Sequence, residues 1–302
     1  MSPALSILQR CNAVVIEKRI NFAKMNNNKS ILLLDPNFDP NSAIPCNLLF
    51  RITADSISYA IVNTENNRVE VLYDRQNFLD HKQTLLPLLH SDPYLKMSFN
   101  SVSVCSYTIN SISIPNELFK QEELQNYQSY FTEPENYAGD LNTYAVPTQT
   151  FKTIFRFSNT VEEAIRTYWP EAKKLEQTAP LLSSPQTSRR LLLVLDFTAG
   201  SFQAMLFKES ALIFQNFFLT ENADEFSYYL MLIFKQLELN SADVDVRISG
   251  IINEGDAQHQ FLKDHFGSVQ MQAPDPATLE SSILEDMPAH YYTSLLALQL
   301  CE

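Results

Sequence analysis

The chain has 302 residues, a formal net charge of −13 at pH 7, 45% hydrophobic residues and 19% charged ones. Such length and composition fit about two globular domains with a core of their own. The acidic balance repels phosphate backbones and argues against nucleic-acid binding, and the sequence has no run of about twenty apolar residues to cross a membrane as a helix.

Cys11, Cys46, Cys105 and Cys301 lack zinc-ligand spacing and fit reduced thiols in a cytoplasmic protein. His81, His90, His259, His265 and His290 form no HExxH pair. There are five glycines, where average usage gives roughly twenty, so few are at hand for a glycine-rich phosphate cradle.

In chain order, residues 1–46 are expected to be a tail and lead-in. Met25 is the expected natural start, with residues 1–24 an overrun or a disordered tail. Three strands follow over 48–74, "LLFRIT", "ISYAIVN" and "RVEVLYD", the last two joined at Asn66-Asn67. "NFLDHKQTLLPLLH" has helical spacing with Leu85, Leu88 and Leu89 on one face and Pro87 as a kink. "SVSVCSY" is a strand, and "TINSISI" extends or follows it. Pro115 is placed near the first turn of a helix "NELFKQEELQNYQSYF". Residues 132–148 are expected to be a loop. "FKTIFRF" is a strand, and Ser158 or Asn159 caps a helix "TVEEAIRTYW". "APLLSSPQTSRR" has a linker's composition.

The second half restarts the pattern. "RLLLVLDFT", "FQAMLFK" and "ALIFQNFFL" are strands, with Glu209-Ser210 a tight turn between the last two. "NADEFSYYLMLIFKQLEL" is a long helix capped by Asn222. "DVRISGII" is a strand, "DAQHQFLKDHF" a helix closed by Gly267, and "SVQMQ" a fifth strand. This divides the chain into a first lobe at 47–182 with an insertion around 108–148, a linker at 183–190, and a second lobe at 191–302 ending in a helix at 289–300. Of the tyrosine pairs Tyr228-Tyr229 and Tyr291-Tyr292, one member each is expected outside the core, as a contact surface or lying flat on its own lobe.

Each half thus runs strand, strand, strand, helix, strand, helix. The hairpin turns repeat too. "FRITADSI" (50–57) aligns with "LDFTAGSF" (195–202) at an offset of 145 residues, which sets Arg51 against Asp196.

This duplicated lobe resembles the ribonuclease H-like fold as used by actin-like ATPases. "LVLDFTAGSFQAMLFKESALIF" is similar to that family's first strand ending in Asp-x-Gly, and "VRISGIINEGD" to its adenosine-flanking Gly-Gly turn. The two halves and the closing "YYTSLLALQLCE" also resemble a small uncharacterised bacterial family assigned to this fold. The resemblance implies an α/β protein with two mixed sheets, helices on their faces and an interlobe cleft. It makes Thr53, Ser56, Thr198, Gly200, Ser201 and Gly250 the candidate nucleotide-cleft residues. Asp196 becomes the metal residue if Mg-ATP binds.

The sequence departs from that pattern. Arg51 stands at the first strand-end Asp, Thr53 and Thr198 stand at glycines, and Ile251 replaces the partner of Gly250. Thr198 disfavours positive φ, a difficulty Gly200 is placed to relieve. The expectation is therefore a non-catalytic pseudo-ATPase binding or scaffold module with no cofactor and a protein partner. The alternative is a Mg-ATP-binding switch or ATPase. A third reading, a two-metal nuclease with Asp196 and Glu254 or Asp256, competes with Asp256 as a simple helix cap.

Overall fold

The computed structural model describes residues 30–41, 44–76, 81–133, 139–146, 148–184, 186, 188, 190–275 and 279–301. The expectations for residues 1–24 and Met25 lie outside them.

The first half lays down β1 (Ser30–Leu34), β2 (Cys46–Ile52), β3 (Ser56–Asn63), β4 (Arg68–Gln76) and helix α1 (His81–Ser91). Then come β5 (Ser101–Ser106), β6 (Ser111–Pro115), β7 (Asn142–Ala145), β8 (Phe151–Phe155), α2 (Asn159–Tyr168), β9 (Lys173–Glu176) and the short α3 (Ala179–Ser183). The second half continues with β10 (Leu191–Phe197), β11 (Ser201–Lys208), β12 (Ala211–Leu219), α4 (Ala223–Gln236) and β13 (Val244–Gly250). It ends with α5 (Ala257–His265), β14 (Ser268–Met271) and α6 (Thr293–Leu296).

A six-stranded sheet runs β1-β4-β3-β2-β5-β9, and a five-stranded sheet runs β12-β11-β10-β13-β14. The hairpin strands pair antiparallel, whereas β2–β5–β9 and β10–β13–β14 pair parallel. Omitting β1, the two sheets have the same order and the same directions. The duplicated mixed-sheet lobe expected from the sequence is the fold.

Alternation along the strands explains the packing. On β10 and β11, Leu193, Leu195, Phe197, Phe202, Ala204 and Leu206 form one core with Phe226, Leu230 and Ile233 of α4 and Leu262 of α5. The intervening Leu192, Val194, Met205 and Phe207 face the other way and join the core of the first sheet. The lobes therefore share apolar contact rather than touching only at their turns. Ser158 caps α2 by accepting from the Val161 N–H, and Asn222 caps α4 by accepting from the Glu225 N–H.

Several elements differ from expectation. Residues 30–34 lie in the expected lead-in, yet they pair antiparallel with β4 as an edge strand. Residues 142–145 lie in the expected loop, yet they complete a three-stranded sheet β6-β8-β7. Both strands are short; β1 is fixed by long-range pairing with β4, and β7 by a hairpin with the following β8 that its loop-like composition does not encode. Pro115 ends β6, and the following helix is 3-10 in character over Gln121–Tyr130. Lys173–Glu176, not anticipated, forms the parallel edge β9.

The start of the linker-like stretch is α3, whose Ala179, Pro180, Leu181 and Leu182 are buried. The terminal helix expected over 289–300 is α6 plus a 3-10 turn at Ala297–Leu300. Tyr292, Leu295, Leu296, Leu298 and Cys301 sit in the core shared with the first sheet, so this segment is not confined to the second lobe. Their apolar side chains complete the surface that β2 and β3 leave bare. Tyr228 is exposed and Tyr292 buried, dividing each tyrosine pair. Among the described residues no helix is long and apolar enough to cross a membrane.

Candidate functional site

The β2–β3 and β10–β11 turns are built alike. The Thr53 N–H donates to the Ser56 carbonyl at 2.9 Å, and the Thr198 N–H to the Ser201 carbonyl at 2.9 Å. In each turn the threonine hydroxyl also meets the serine hydroxyl, Thr53 with Ser56 and Thr198 with Ser201. Side-chain oxygens thus tighten both turns. Neither threonine has a positive φ, and Gly200 does not either. Gly200 therefore does not relieve backbone strain. It makes room, because a Cβ there would lie 3.2 Å from Asp55 Oδ2.

That carboxylate fills the seam between the turns. Asp55 Oδ2 accepts from Gly200 N–H at 2.7 Å and from Thr198 Oγ1 at 2.9 Å. Asp55 Oδ1 accepts from Thr53 Oγ1 at 2.9 Å and from Ser201 Oγ at 3.4 Å. Gln76 Oε1 takes the Ala199 N–H at 3.3 Å. Five of the six candidate cleft residues thus converge here, bonded to one another or to an aspartate of the chain.

Beneath the seam, Arg51 Nη2 lies 2.5 Å from Asp196 Oδ2. Asp196 Oδ1 accepts from Ser249 Oγ at 2.8 Å and from Ser294 Oγ of α6 at 3.1 Å. The Asp196 side chain is 0% exposed and that of Arg51 11%. Asp74 on β4 is buried nearby, accepting from Gln76 Nε2 at 2.8 Å and from the Tyr292 hydroxyl at 3.5 Å. Burial pushes the Asp74 carboxyl up to about 6, against the pull of the Gln76 hydrogen bond and of Arg51.

Gly250 ends β13 with φ +84°, and a Cβ there would stand 2.0 Å from the Phe197 carbonyl oxygen. Only glycine fits that approach. The Gly250 N–H donates to the His290 carbonyl at 2.9 Å. His290 Nε2 lies 2.7 Å from the Ile252 carbonyl, and the Tyr291 hydroxyl donates to Asn253 Oδ1 at 2.6 Å. The turn expected to wall an adenine is held by the chain segment preceding α6.

This arrangement does not fit a Mg-nucleotide. Both oxygens of Asp196 are engaged, one by a cation. The donors of the Thr198–Ser201 turn already hold a carboxylate, and a phosphate brought there meets the like charge of Asp55. No group of three His, Cys, Asp or Glu side chains that could hold a metal forms among the described residues. Asp256 Oδ2 accepts from Asn253 N–H at 2.7 Å, so this acid braces its own turn, and its side chain makes no cap bond to α5.

Sequence reasoning set Arg51 and Asp55 against a nucleotide but did not see their partners. The signal was present. A pseudo-two-fold brings equivalent turn positions face to face. At one such pair the sequence has Arg51 and Asp196, and at another Asp55 and Gly200: opposite charge in the first, large against small in the second. Ser249, Ser294, Tyr292 and His290 carried no such signal, since only the fold brings them here. Two more bridges support the seam. Tyr107 packs on Phe217 with ring centroids 4.5 Å apart, and the Gln149 side chain pairs with the Ser210 carbonyl and the Leu212 N–H.

Comparison with known proteins places this architecture. The profile of the family described as "Protein of unknown function (DUF3822)" matches residues 35–269. The chain belongs to this family. A solved Bacteroides thetaiotaomicron protein with an actin-like ATPase fold and unknown function is similar at 19% identity and a TM-score of 0.71, over 88% of this chain and 99% of that one. A chain of the PilM-PilN type IV pilus biogenesis complex is similar at 15% identity and a TM-score of 0.52, over 85% and 98%. No functionally curated protein matches the sequence. The fold of this DUF3822 chain is the actin-like ATPase fold. The segment that holds the Gly250 turn and Asp196 from the far side, residues 290–294, follows the stretch matched by the family profile.

Proposed function

We propose that the chain is a non-catalytic actin-fold module of the bacterial cytoplasm, a pseudo-ATPase that binds a protein partner. The observation that carries this reading is the Asp55 carboxylate in the Thr198–Ser201 turn. An internal anion occupies the donors that an external phosphate requires. Arg51 on Asp196 supports it, since the strand-end acid is already neutralised. Together the contacts act as a latch between the lobes. The partner reading is supported by the fold's use in assemblies, the PilM-PilN complex among them.

The test is a thermal-shift titration of the full chain with Mg-ATP and Mg-ADP, with Asp196→Ala as control. A ligand at a hundred times its dissociation constant stabilises by about 2.7 kcal/mol. No shift is expected up to millimolar nucleotide. Stabilisation of the wild type that vanishes in the variant would establish a Mg-ATP switch in its place.

A further inference from the structure

The second sheet ends in an open edge, β12. This strand has nine residues, whereas the other edge strands of the described residues, β1, β6, β7, β9 and β14, have five or fewer. From Ala211 to Leu219 it has no charged residue and no proline, two devices that close an edge to further pairing. A bulge lies near its start, opposite Leu206 and Phe207, and the stretch from Phe214 to Leu219 is regular. None of its residues is buried, and Ile213 and Leu219 are 49% and 60% exposed.

The register fixes which backbone groups face outward. The Thr220 N–H donates to the Gly200 carbonyl, and bonding toward β11 recurs at every second residue, at Phe218, Asn216 and Phe214. The N–H and C=O groups of Gln215, Phe217 and Leu219 therefore point away from the sheet. Two stopgaps stand along this edge. At its start Gln149 Nε2 donates to the Ser210 carbonyl and Gln149 Oε1 accepts from the Leu212 N–H, the pairing a neighbouring strand would make. Further on, the Phe217 N–H donates to Oδ1 of the adjacent Asn216 at 2.9 Å, a bond that one side-chain rotation releases. Among the described residues the outward backbone groups of Gln215 and Leu219 have no partner. We propose that β12 takes up an extended segment of a partner protein as a further strand of the second sheet.

The edge itself selects the occupant's backbone. Outward N–H and C=O groups at every second residue match a strand, whose own groups have that spacing, and not a helix, whose groups are bonded within it. Phe217 and Leu219 share a face, so the segment carries apolar side chains at alternate positions. Its charge follows from the acids beside the open end of β12. Glu221, Asp224 and Glu225 come directly after the strand, and none of them is in an ion pair among the described residues. The segment is therefore basic at the end that lies next to Leu219. A second copy of this chain is opposed, since it brings a net charge of −13 to the same edge. This inference rests on the partner reading above and names the segment that docks. It leaves the seam between the lobes untouched, so the nucleotide titration and the experiment below can fail separately.

The probe is the acetylated and amidated peptide Lys-Lys-Val-Thr-Val-Thr-Val, titrated against the full chain to about 1 mM. In antiparallel pairing its lysines lie at the Glu221 end and its valines opposite Leu219, Phe217 and Gln215. Binding is expected, with slowed hydrogen exchange at the Gln215 and Leu219 amides. Methylating the valine nitrogens removes the donors that face β12 and is expected to weaken binding at least about tenfold. Methylating the threonine nitrogens, which face outward, is expected to leave affinity within about twofold. Leu219→Pro and Gln215→Pro each delete an outward N–H without touching the ladder to β11, and each is expected to weaken binding about tenfold with a melting curve close to wild type. No binding up to about 1 mM overturns the proposal. So do equal affinities of the two methylated peptides, as adhesion by charge or apolar contact alone would give. A wild type that self-associates, with Leu219→Pro monomeric, assigns the edge to a second copy and also overturns it.

Discussion

Arg51 Nη2 lies 2.5 Å from Asp196 Oδ2, and the two residues hold the same register position in two copies of one strand. A duplication has become a complementary pair. Buried ion pairs repay their desolvation only when each charge keeps its partner. Arg51→Met leaves Asp196 buried among Ser249 and Ser294 alone and is expected to cost about 3–5 kcal/mol in urea unfolding. The double variant Arg51→Met/Asp196→Leu is expected to recover most of that loss. A double variant as weak as the sum of its parts would show that the two sites act independently.

Asp55 makes its contacts chiefly to the opposite lobe. Asp55→Ala leaves the Gly200 N–H without an acceptor, at an expected cost of about 1–3 kcal/mol. Hydrogen exchange should accelerate at Gly200 and at neighbouring seam amides while the centre of β10 stays protected. Unchanged exchange at Gly200 would mean that another acceptor takes over and that Asp55 is not the latch.

Two buried acids set a pH dependence. Burial pushes Glu176 up to about 7 and Asp74 up to about 6, from ordinary values of 4.5 and 3.8. The folded state therefore binds these protons more tightly than the unfolded chain. The contribution of both groups to stability falls as pH rises from about 4 to about 7. In Glu176→Gln the amide oxygen keeps the bonds that Thr178 donates through its N–H and its hydroxyl. That variant is expected to match wild type at pH 4 and to exceed it by about 3 kcal/mol at pH 8. Comparing variant with wild type at each pH cancels the other titrating groups. A gain as large at pH 4 as at pH 8 would contradict the assignment.

Two glycines with left-handed backbones separate crowding from strain. Gly250 has φ +84° with the Phe197 carbonyl against the missing Cβ, whereas Gly255 has φ +88° with nothing within 4 Å. Gly255→Ala is expected to cost about 1 kcal/mol, the conformational penalty alone. Gly250→Ala must also part β13 from β10 and is expected to cost more than about 3 kcal/mol, or to yield insoluble protein. Equal melting temperatures for the two variants would refute the contact.

The lobes were legible because each is written in local signals. Ile57, Tyr59 and Ile61 alternate along β3, an unbroken apolar run marks β10, turn residues separate the strands, and Asn222 and Ser158 cap helices. The repeated turn was legible because Thr-Ala-x-Ser recurs. Unread were β1, β7 and β9, each of four or five residues: β1 and β9 are defined by neighbours far off in sequence, and β7 is a hairpin partner of β8 whose Asn, Thr and flanking Pro and Asp read as loop. Also unread was the stretch from His290 to Ser294, whose side chains look ordinary until the fold sets them against Gly250 and Asp196. The latch was half legible. Arg51 and Asp55 were conspicuous as wrong for a nucleotide, but their purpose appears only when the second lobe faces the first.

The segment from Tyr292 to Cys301 follows both sheets in chain order, yet five of its side chains complete the core of the first. Translation proceeds from the N-terminus, and domains made first generally fold first. Here β2 and β3 leave the ribosome early but wait for these side chains until both lobes have been synthesised. The first lobe therefore finishes folding together with the second rather than ahead of it.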